Sequence, residues 1–372
     1  MQKYNWNYPT TMWVGENRIK DLGSACKTLN INKPLLVTDK GLSQSDIVKN
    51  TLSNLKNEGI AVELYSNVVG NPTGTNVNEG VESYKKNNCD GIIAFGGGSG
   101  LDVGKAVAFM SGQTLPIWDF EDVGDNWTRA NSDKIAPIIA VPTTAGTGSE
   151  VTHHSVIIDT KSNNFEKISC RGEGFVPIVS IVDFELTLSK PRRLTIDSAI
   201  DTLTHGIEAY VSKKATLFSD RMALDTIRLV SQNIYAVDKD PKDLKAREGL
   251  MLAATLGGLA FSNASICLVH GMSRPLGSNF KVPHGLSNAM LLPTITEYSI
   301  DHAKKRYAEC SRAGNFSLPD DDDDTPPPQL TQEQQDRNEL LGQDTGDQSR
   351  IVRELRAQNL AQNAQAAQIY EK

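Results

Sequence analysis

The spacing of apolar residues changes near residue 188. Before that point, short apolar runs alternate with segments in which apolar residues recur every three or four positions. The runs predict strands at Pro34–Asp39, Ala61–Ser66, Gly91–Gly96, Pro137–Pro142, Ser155–Asp159 and Val179–Asp183. The segments between them predict helices that include Glu16–Leu29, Gln44–Leu55 and Val77–Lys86. Such alternation predicts a parallel sheet with crossover helices.

From about Pro191 onward, helical periodicity replaces the strand pattern. Three long segments carry apolar residues at helical spacing: Asp197–Val211, Phe218–Ile234 and Leu244–Ser262. We therefore predict an α/β fold with two domains, a Rossmann-like domain over residues 1–188 and an all-helical domain over residues 189–312.

The last segment differs from both domains. Residues 320–324 are five consecutive aspartates, three prolines follow Thr325, and the only aromatic residue beyond Leu318 is Tyr370. So little apolar surface cannot offset the entropy lost on ordering the chain. We predict that residues 313–372 form a polar tail with little order.

Composition narrows the class of protein. The net charge of -7 and the pI near 5.5 argue against a nucleic-acid binder. No apolar run approaches the roughly 18 residues that span a bilayer, and the N-terminus lacks a signal-peptide pattern. Five cysteines without a CxxC pair suit a reducing compartment. We expect a cytoplasmic protein without nucleic-acid or membrane partners.

A glycine-rich loop follows the predicted strand Gly91–Gly96. Its continuation, Gly97-Gly98-Ser99-Gly100, leads into a predicted helix that begins near Leu101. Glycines let backbone N–H groups approach a phosphate, and a helix N-terminus favours negative charge. The loop matches neither a GxGxxG fingerprint nor a GK[ST] phosphate loop.

Two further strand ends carry polar groups suited to a nucleotide. Residues 141–150 contain hydroxyls at Thr143, Thr144, Thr147 and Ser149. Asp39 ends the first predicted strand, where a carboxylate can bond ribose hydroxyls and repel a 2′-phosphate. The Asp39 carboxylate therefore favours NAD over NADP.

One carboxylate and three histidines form a candidate metal site. Asp201 and His205 are four residues apart and share a face of a predicted helix. His270 lies near the end of an apolar helix, and His284 converges with it if the chain turns back after Pro275 and Gly277. These ligand types suit Fe(II) or Zn(II) equally.

The ordered motifs resemble the iron-containing (group III) alcohol dehydrogenases, which include lactaldehyde/1,2-propanediol oxidoreductases. The likeness covers roughly Tyr4 to Ser311. The motifs that carry it are Asn7-Tyr-Pro-Thr-Thr, Val37-Thr-Asp-Lys-Gly, Asn71-Pro-Thr, Gly96-Gly-Gly-Ser-Gly-Leu-Asp-Val-Gly-Lys105, Trp118-Asp-Phe, Pro142-Thr-Thr-Ala-Gly-Thr-Gly-Ser-Glu150, Asp201-Thr-Leu-Thr-His205, His270 and His284.

The resemblance implies a dehydroquinate synthase-like architecture and hydride transfer between NAD(H) and a small primary alcohol or diol, or its aldehyde. It implies a homodimer or larger homo-oligomer. The implied metal ligands are Asp201, His205, His270 and His284. The implied NAD contacts are Asp39, Asn71, Gly97, Gly98, Ser99, Asp102, Thr143, Thr144, Thr147 and Lys167. No catalytic side chain beyond the metal ligands is implied.

Two departures and two alternatives accompany this hypothesis. Relatives often carry a histidine four residues after the third ligand, but Arg274 stands here and cannot serve as a base. The usual C-terminal helices are replaced by the polar tail. The alternatives are a glycerol dehydrogenase-like sister enzyme with three protein ligands, and a non-catalytic interaction protein that uses the tail.

Overall fold

The structure is a computed structural model that describes Trp6, residues 8–160 and residues 166–316. For residues 166–171 and 173 it describes the backbone alone. The predictions for the tail beyond residue 316 and for the Lys167 side chain lie outside the described residues.

Eight strands are described, and six of them form one parallel sheet. The strands are β1 Thr11–Val14, β2 Pro34–Asp39, β3 Glu63–Val68, β4 Gly91–Gly96, β5 Ile138–Pro142, β6 His154–Asp159, β7 Glu166–Arg171 and β8 Val179–Val182. The sheet order is β1-β8-β5-β4-β2-β3, and every described pair in it is parallel. The predicted Rossmann-like fold class is thereby confirmed.

The sequence interpretation was wrong about two strands. The segment Ser155–Asp159 was assigned to the parallel sheet, but β6 pairs antiparallel with β7 in a separate two-stranded sheet. β1 was missed because its four residues are half-buried or exposed at the edge of the sheet, which leaves no apolar run.

Helices cover both faces of the sheet. They are α1 Leu22–Thr28, α2 Lys40–Ser43, α3 Asp46–Asn57, α4 Gly74–Lys86 and α5 Gly98–Met110. The central strands are buried on both faces, which explains their continuous apolar runs. α5 lies against β4 so closely that a Cβ on Gly104 would come within 2.5 Å of the Ala94 Cβ. This contact holds the start of α5 at the carboxyl end of β4.

Up to residue 316, where the described part of the chain ends, six helices follow the sheet. They are α6 Arg192–Val211, α7 Leu217–Lys239, α8 Leu244–Ala264, α9 Leu268–Phe280, α10 His284–Ser299 and α11 Lys304–Gly314. Among the described residues, no single helix is long and apolar enough to cross a membrane; α8 and α9 reach that composition only as a pair bent by 107°. The helical second half agrees with the predicted fold class, whereas the boundary at residue 188 stays a prediction.

Two backbone breaks place the candidate metal ligands. Ser265, with φ of 70°, separates α8 from α9, so His270 lies in the first turns of a new helix and not at the end of an apolar one. Lys281, with φ of 56°, ends α9 and begins the turn to α10. The chain therefore turns back after Pro275 and Gly277, as the convergence of His270 with His284 requires, but the turn comes at Lys281 because both residues lie inside α9.

Candidate active site in the cleft

A cleft with a cavity volume of about 240 Å³ lies between the sheet and the second-half helices. Its walls combine the start of α5, the loop after β5 and the helices α6, α9 and α10. The lining residues include Asn71, Gly98, Ser99, Asp102, Thr147, Asp201, His205, His270 and His284. The candidate nucleotide contacts and the candidate metal ligands, which lie far apart in sequence, thus face one cavity.

Among the four candidate metal ligands, the three histidines surround one carboxylate oxygen of the fourth, Asp201. Asp201 and His205 lie one turn apart on α6, His270 lies on α9, and His284 is the first residue of α10. The Asp201 Oδ1 atom is 3.9 Å from His205 Nε2, 3.4 Å from His270 Nε2 and 3.6 Å from His284 Nε2. Asp201, His270 and His284 offer ligand atoms that all lie within 4.8 Å of one another.

These separations fit ligands around one cation. Bonds of about 2.1 Å in tetrahedral directions put ligand atoms about 3.4 Å apart. Direct hydrogen bonds between the same atoms would be about 2.7–3.2 Å long. The residues present therefore suit a borderline divalent metal by both spacing and donor type.

Glu208 supports this cluster from behind, and sequence reasoning missed it. Its Oε2 lies 2.5 Å from His270 Nδ1, and its Oε1 accepts a hydrogen bond of 2.6 Å from the Val269 N–H. A carboxylate on the far nitrogen orients a ligating imidazole and raises its basicity. The sequence could have indicated Glu208, because Asp201, His205 and Glu208 are spaced to lie on one face of a helix.

Asn288 was also missed, although it lies one turn after His284. Its amide Nδ2 donates to Asp201 Oδ1 at 2.6 Å and lies 3.1 Å from His270 Nε2. Its buried Oδ1 accepts no hydrogen bond from the part of the chain that the structure describes. A 180° rotation of the amide would turn this oxygen toward the ligand atoms, where a cation would satisfy it.

Burial and proximity perturb the ionisable ligands in opposite ways. Burial raises the pKa of Asp201, but the neighbouring imidazoles outweigh it and hold that pKa below its ordinary value. Burial lowers the pKa of His205 to about 4. Burial also disfavours the charged form of His270, yet the neighbouring carboxylates of Asp201 and Glu208 raise its pKa to about 9. Metal binding would have to displace that proton.

The glycine loop forms a cradle without side chains at the start of α5. Gly97 is the residue before the helix, and the structure records no side-chain cap there. The helix begins at Gly98, earlier than the predicted start near Leu101, and Ser99 is its second residue. A Cβ on Gly98 would lie 2.7 Å from Thr147 Cγ2, so the two loops already touch. The first N–H groups of a helix lack intrahelical partners and suit a phosphate.

The other expected NAD contacts divide into two groups. Asn71, Gly98, Ser99, Asp102 and Thr147 line the cleft. Asp39, Gly97, Thr143 and Thr144 are not among its lining residues, and Thr144 lines a small cavity beside it.

Asp39 and Asp102 have structural contacts of their own. The Asp39 carboxylate accepts a hydrogen bond of 2.8 Å from the Leu42 N–H, which caps α2. Asp102 accepts hydrogen bonds from Ser149 Oγ at 2.6 Å and from the Val156 N–H at 3.0 Å. These two bonds tie α5 to the loop after β5 and to β6.

The mouth of the cleft carries three polar side chains. The His154 Nε2 atom lies 3.5 Å from Asp122 Oδ2, and Arg274 lines the same wall one turn beyond His270. Burial lowers the pKa of the Arg274 guanidinium, whereas the carboxylates of Asp122 and Glu208 act to raise it. Two carboxylates therefore favour the charged form of this guanidinium.

Two family models match almost the whole chain. Residues 9–184 match the family described as iron-containing alcohol dehydrogenase, and residues 195–367 match its C-terminal region. The second match extends past Ser311, where the likeness inferred from sequence ended.

Curated relatives and solved structures agree with these matches. The chain is 38% identical to a 1,3-propanediol dehydrogenase of Citrobacter freundii over 82% of this chain and 78% of that protein. It is 34% identical to a lactaldehyde reductase of Escherichia coli (strain K12) over 81% of this chain and 77% of that protein.

Among solved structures, a 1,3-propanediol oxidoreductase superposes with a TM-score of 0.82, at 34% identity over 87% of this chain and 82% of that one. A sulfoacetaldehyde reductase from Bifidobacterium kashiwanohense in complex with NAD+ superposes with a TM-score of 0.78. The identity is 30% over 85% of this chain and 82% of that one.

Proposed function

Since the chain belongs to the iron-containing alcohol dehydrogenase family and is an NAD-dependent alcohol oxidoreductase, we propose which residues perform the reaction. The metal ligands are Asp201, His205, His270 and His284. The observation that carries this assignment is the convergence of three imidazole Nε2 atoms within 3.9 Å of one Asp201 oxygen.

A metal held by Asp201, His205, His270 and His284 would supply Lewis-acid chemistry for an alcohol or carbonyl oxygen, and NAD bound at the start of α5 would supply the hydride chemistry. The chain's own residues supply position. Glu208 keeps the His270 ring oriented, and Asn288 presents an amide to the same cluster. Arg274 does not act as a base, because a guanidinium stays protonated.

NAD contacts come from two kinds of group. Gly97, Gly98 and Ser99 present backbone N–H groups to the pyrophosphate at the start of α5. The remaining polar contacts that we propose are Asp39, Asn71, Asp102, Thr143, Thr144, Thr147 and Lys167. Asp39, at the end of β2, would accept hydrogen bonds from the ribose hydroxyls of NAD and would repel the 2′-phosphate of NADP.

Finer features of the protein are part of the same proposal. We place it in the cytoplasm as a homodimer or larger homo-oligomer, without nucleic-acid or membrane partners. The cysteine pattern supports a cytoplasmic location. The acidic net charge argues against nucleic-acid partners. The family resemblance supports the assembly. We also retain a nucleotide-binding domain over residues 1–188 and a metal-binding domain over residues 189–312.

A three-ligand enzyme of the glycerol dehydrogenase type fits less well. Such a site needs one aspartate and two histidines, a set that Asp201, His270 and His284 would supply by themselves. His205 Nε2, 3.9 Å from Asp201 Oδ1, adds a third imidazole, and the family matches favour the iron-type enzyme. A purely non-catalytic role gains no support from the cleft, because a binding module would not need this cluster.

The test is an assay of NAD reduction by protein loaded anaerobically with Fe(II) or, separately, with Zn(II). Short alcohols and diols serve as substrates, and metal-free protein is the control. We expect metal-dependent turnover with NAD and much less with NADP. Absence of turnover with both metals across the panel would contradict the proposal and favour a non-catalytic protein.

A further inference from the structure

A buried ammonium group lies behind the wall of the cleft that α5 shares with the loop after β5. Lys105, in the middle of α5, is fully buried. Its Nζ donates to the carbonyl and to the Oγ of Ser149, both at 3.0 Å. It also donates to Thr152 Oγ1 at 3.1 Å and to the His154 carbonyl at 2.5 Å. Because an ammonium has only three protons, these acceptors engage all of them and leave none for a ligand.

The same ammonium sets the direction of a second hydrogen bond. Ser149 Oγ accepts from Lys105 Nζ and donates to Asp102 Oδ1 at 2.6 Å. Since the lysine donates to this hydroxyl oxygen, the hydroxyl proton is directed to the carboxylate. Lys105 does not line the cavity, but all the residues that it holds do, namely Asp102, Ser149, Thr152 and His154. Lys105 can therefore act on the cleft only through these wall residues.

Packing alone gives no reason for a lysine at this position. Its hydrogen-bond acceptors are neutral oxygens, and burying a charged ammonium among them costs more than burying an apolar side chain of similar length. Burial lowers the pKa of Lys105 to about 8, although the carboxylates of Asp102 and Glu150 act to raise it. A methionine would fill most of the same space, but it would leave the acceptors without their donor. The lysine therefore orders the wall residues through a fully engaged polar network.

The nicotinamide ring has to use this part of the cleft. In the proposed function, the pyrophosphate binds at the start of α5 and the metal ligands form the other wall. The carbon atoms that exchange the hydride must approach to about 3–3.5 Å. The ring must therefore lie inside the cavity, where α5 and the loop after β5 contribute the wall residues.

We propose that Lys105 is a positioning residue for hydride transfer, which keeps the nicotinamide half of NAD aligned with the substrate. It does so by fixing the four wall residues, which touch the ring in its place. This inference rests on the proposed function, because it requires NAD in the cleft. Loss of Lys105 should disturb the alignment of the ring and leave the affinity for the rest of the cofactor unchanged.

The test is Lys105→Met, assayed as Fe(II)-loaded protein with NAD and 1-propanol. Since a misplacement of about 1 Å slows a reaction about 100-fold, kcat should fall by about that factor. The dissociation constant of ADP-ribose, which lacks the nicotinamide ring, should stay within about twofold of the wild-type value. Bound iron is measured alongside and should be unchanged.

A deuterium isotope effect separates misalignment from loss of folded protein. With 1-propanol deuterated at C1, the isotope effect on kcat should be larger in Lys105→Met than in wild-type protein. The reason is that hydride transfer then limits turnover in place of product release. A variant that is only partly folded would lose kcat without a larger isotope effect.

A second variant breaks one link of the network and keeps the lysine. Ser149→Ala removes the hydroxyl between Lys105 and Asp102 but retains the Ser149 carbonyl as an acceptor. It should lower kcat about tenfold with a larger isotope effect, and it decides the question if Lys105→Met does not fold. The matched control is Lys86→Met, at the exposed end of α4, which should change neither quantity.

The outcomes distinguish the two proposals. No turnover by wild-type protein with either metal contradicts the proposed function itself. Wild-type turnover with an unchanged kcat or isotope effect in folded Lys105→Met overturns the positioning role alone, as does an unchanged kcat in Ser149→Ala. Weaker binding of ADP-ribose by Lys105→Met would also overturn it, because Lys105 would then support the whole cofactor.

Discussion

The two walls of the cleft are built on different principles. The wall from the sheet is made of backbone, where glycines at the start of α5 leave room for a ligand. The wall from the helices is made of side chains, where three helices carry the four proposed metal ligands. A backbone site is damaged by adding atoms, and a ligand cluster is damaged by removing them. Substitutions should therefore separate cofactor binding from metal binding.

The largest effect should follow removal of a metal ligand. His270→Ala deletes a buried imidazole that lies 3.4 Å from Asp201. Loss of several kcal/mol of electrostatic stabilisation predicts a fall in kcat/KM of about a thousandfold or more. Metal content by mass spectrometry should fall, while NAD binding is kept. His302→Ala, an exposed histidine, is the control and should retain both.

The next effect tests the support behind the ligands. Glu208→Gln keeps the shape but removes the charge that faces His270 Nδ1. The expected loss in metal affinity is about 10–100-fold, which is usual when an outer partner of a ligating histidine is removed. Competition with a chelator measures it. An unchanged metal affinity would mean that Glu208 only packs against His270.

The backbone wall is tested by adding one methyl group. Gly98→Ala would place a Cβ 2.7 Å from Thr147 Cγ2. Overpacking of about 1–3 kcal/mol predicts a rise in the KM for NAD of about tenfold, with metal content unchanged. Gly98→Ala combined with Thr147→Ser removes the clashing methyl and should recover part of the loss. A loss of metal in Gly98→Ala would break the separation of the two walls.

The smallest effect concerns the choice of cofactor. Asp39→Ala removes a carboxylate at the end of β2 that also caps α2. The ratio of kcat/KM for NAD over that for NADP should fall, since repulsion of the 2′-phosphate is lost. Loss of the cap should destabilise the fold by about 0.5–2 kcal/mol, measured by denaturant unfolding. Asp46→Ala, at the start of α3, offers a control outside the expected NAD contacts.

The sheet was more predictable than the site. Buried strands such as β4 show continuous apolar runs, so sequence periodicity alone located them to within two residues. β1 and the pairing of β6 escaped, because edge position and strand direction depend on distant partners. The ligand cluster depends on turns at Ser265 and Lys281, where the left-handed backbone of non-glycine residues leaves no clear sequence signal.

Within the cluster, sequence analysis identified the residues whose side chains commonly bind metal ions, namely Asp201, His205, His270 and His284. Histidine and aspartate attract attention as ligands, whereas Glu208 and Asn288 have common structural roles and were overlooked. Helical spacing from Asp201 and from His284 would have indicated both. Arg274 was noticed only through the family resemblance, and its position on the wall of the cleft required the folded structure.

The most direct test of the metal assignment is an anaerobic titration of metal-free protein with Fe(II) while NADH formation from 1,3-propanediol is followed. We predict activity that rises in proportion to bound iron and levels off at one ion per chain, with His270→Ala failing to bind in the same range. Full activity before iron is added, or equal iron binding by wild-type protein and His270→Ala, would contradict the assignment of Asp201, His205, His270 and His284.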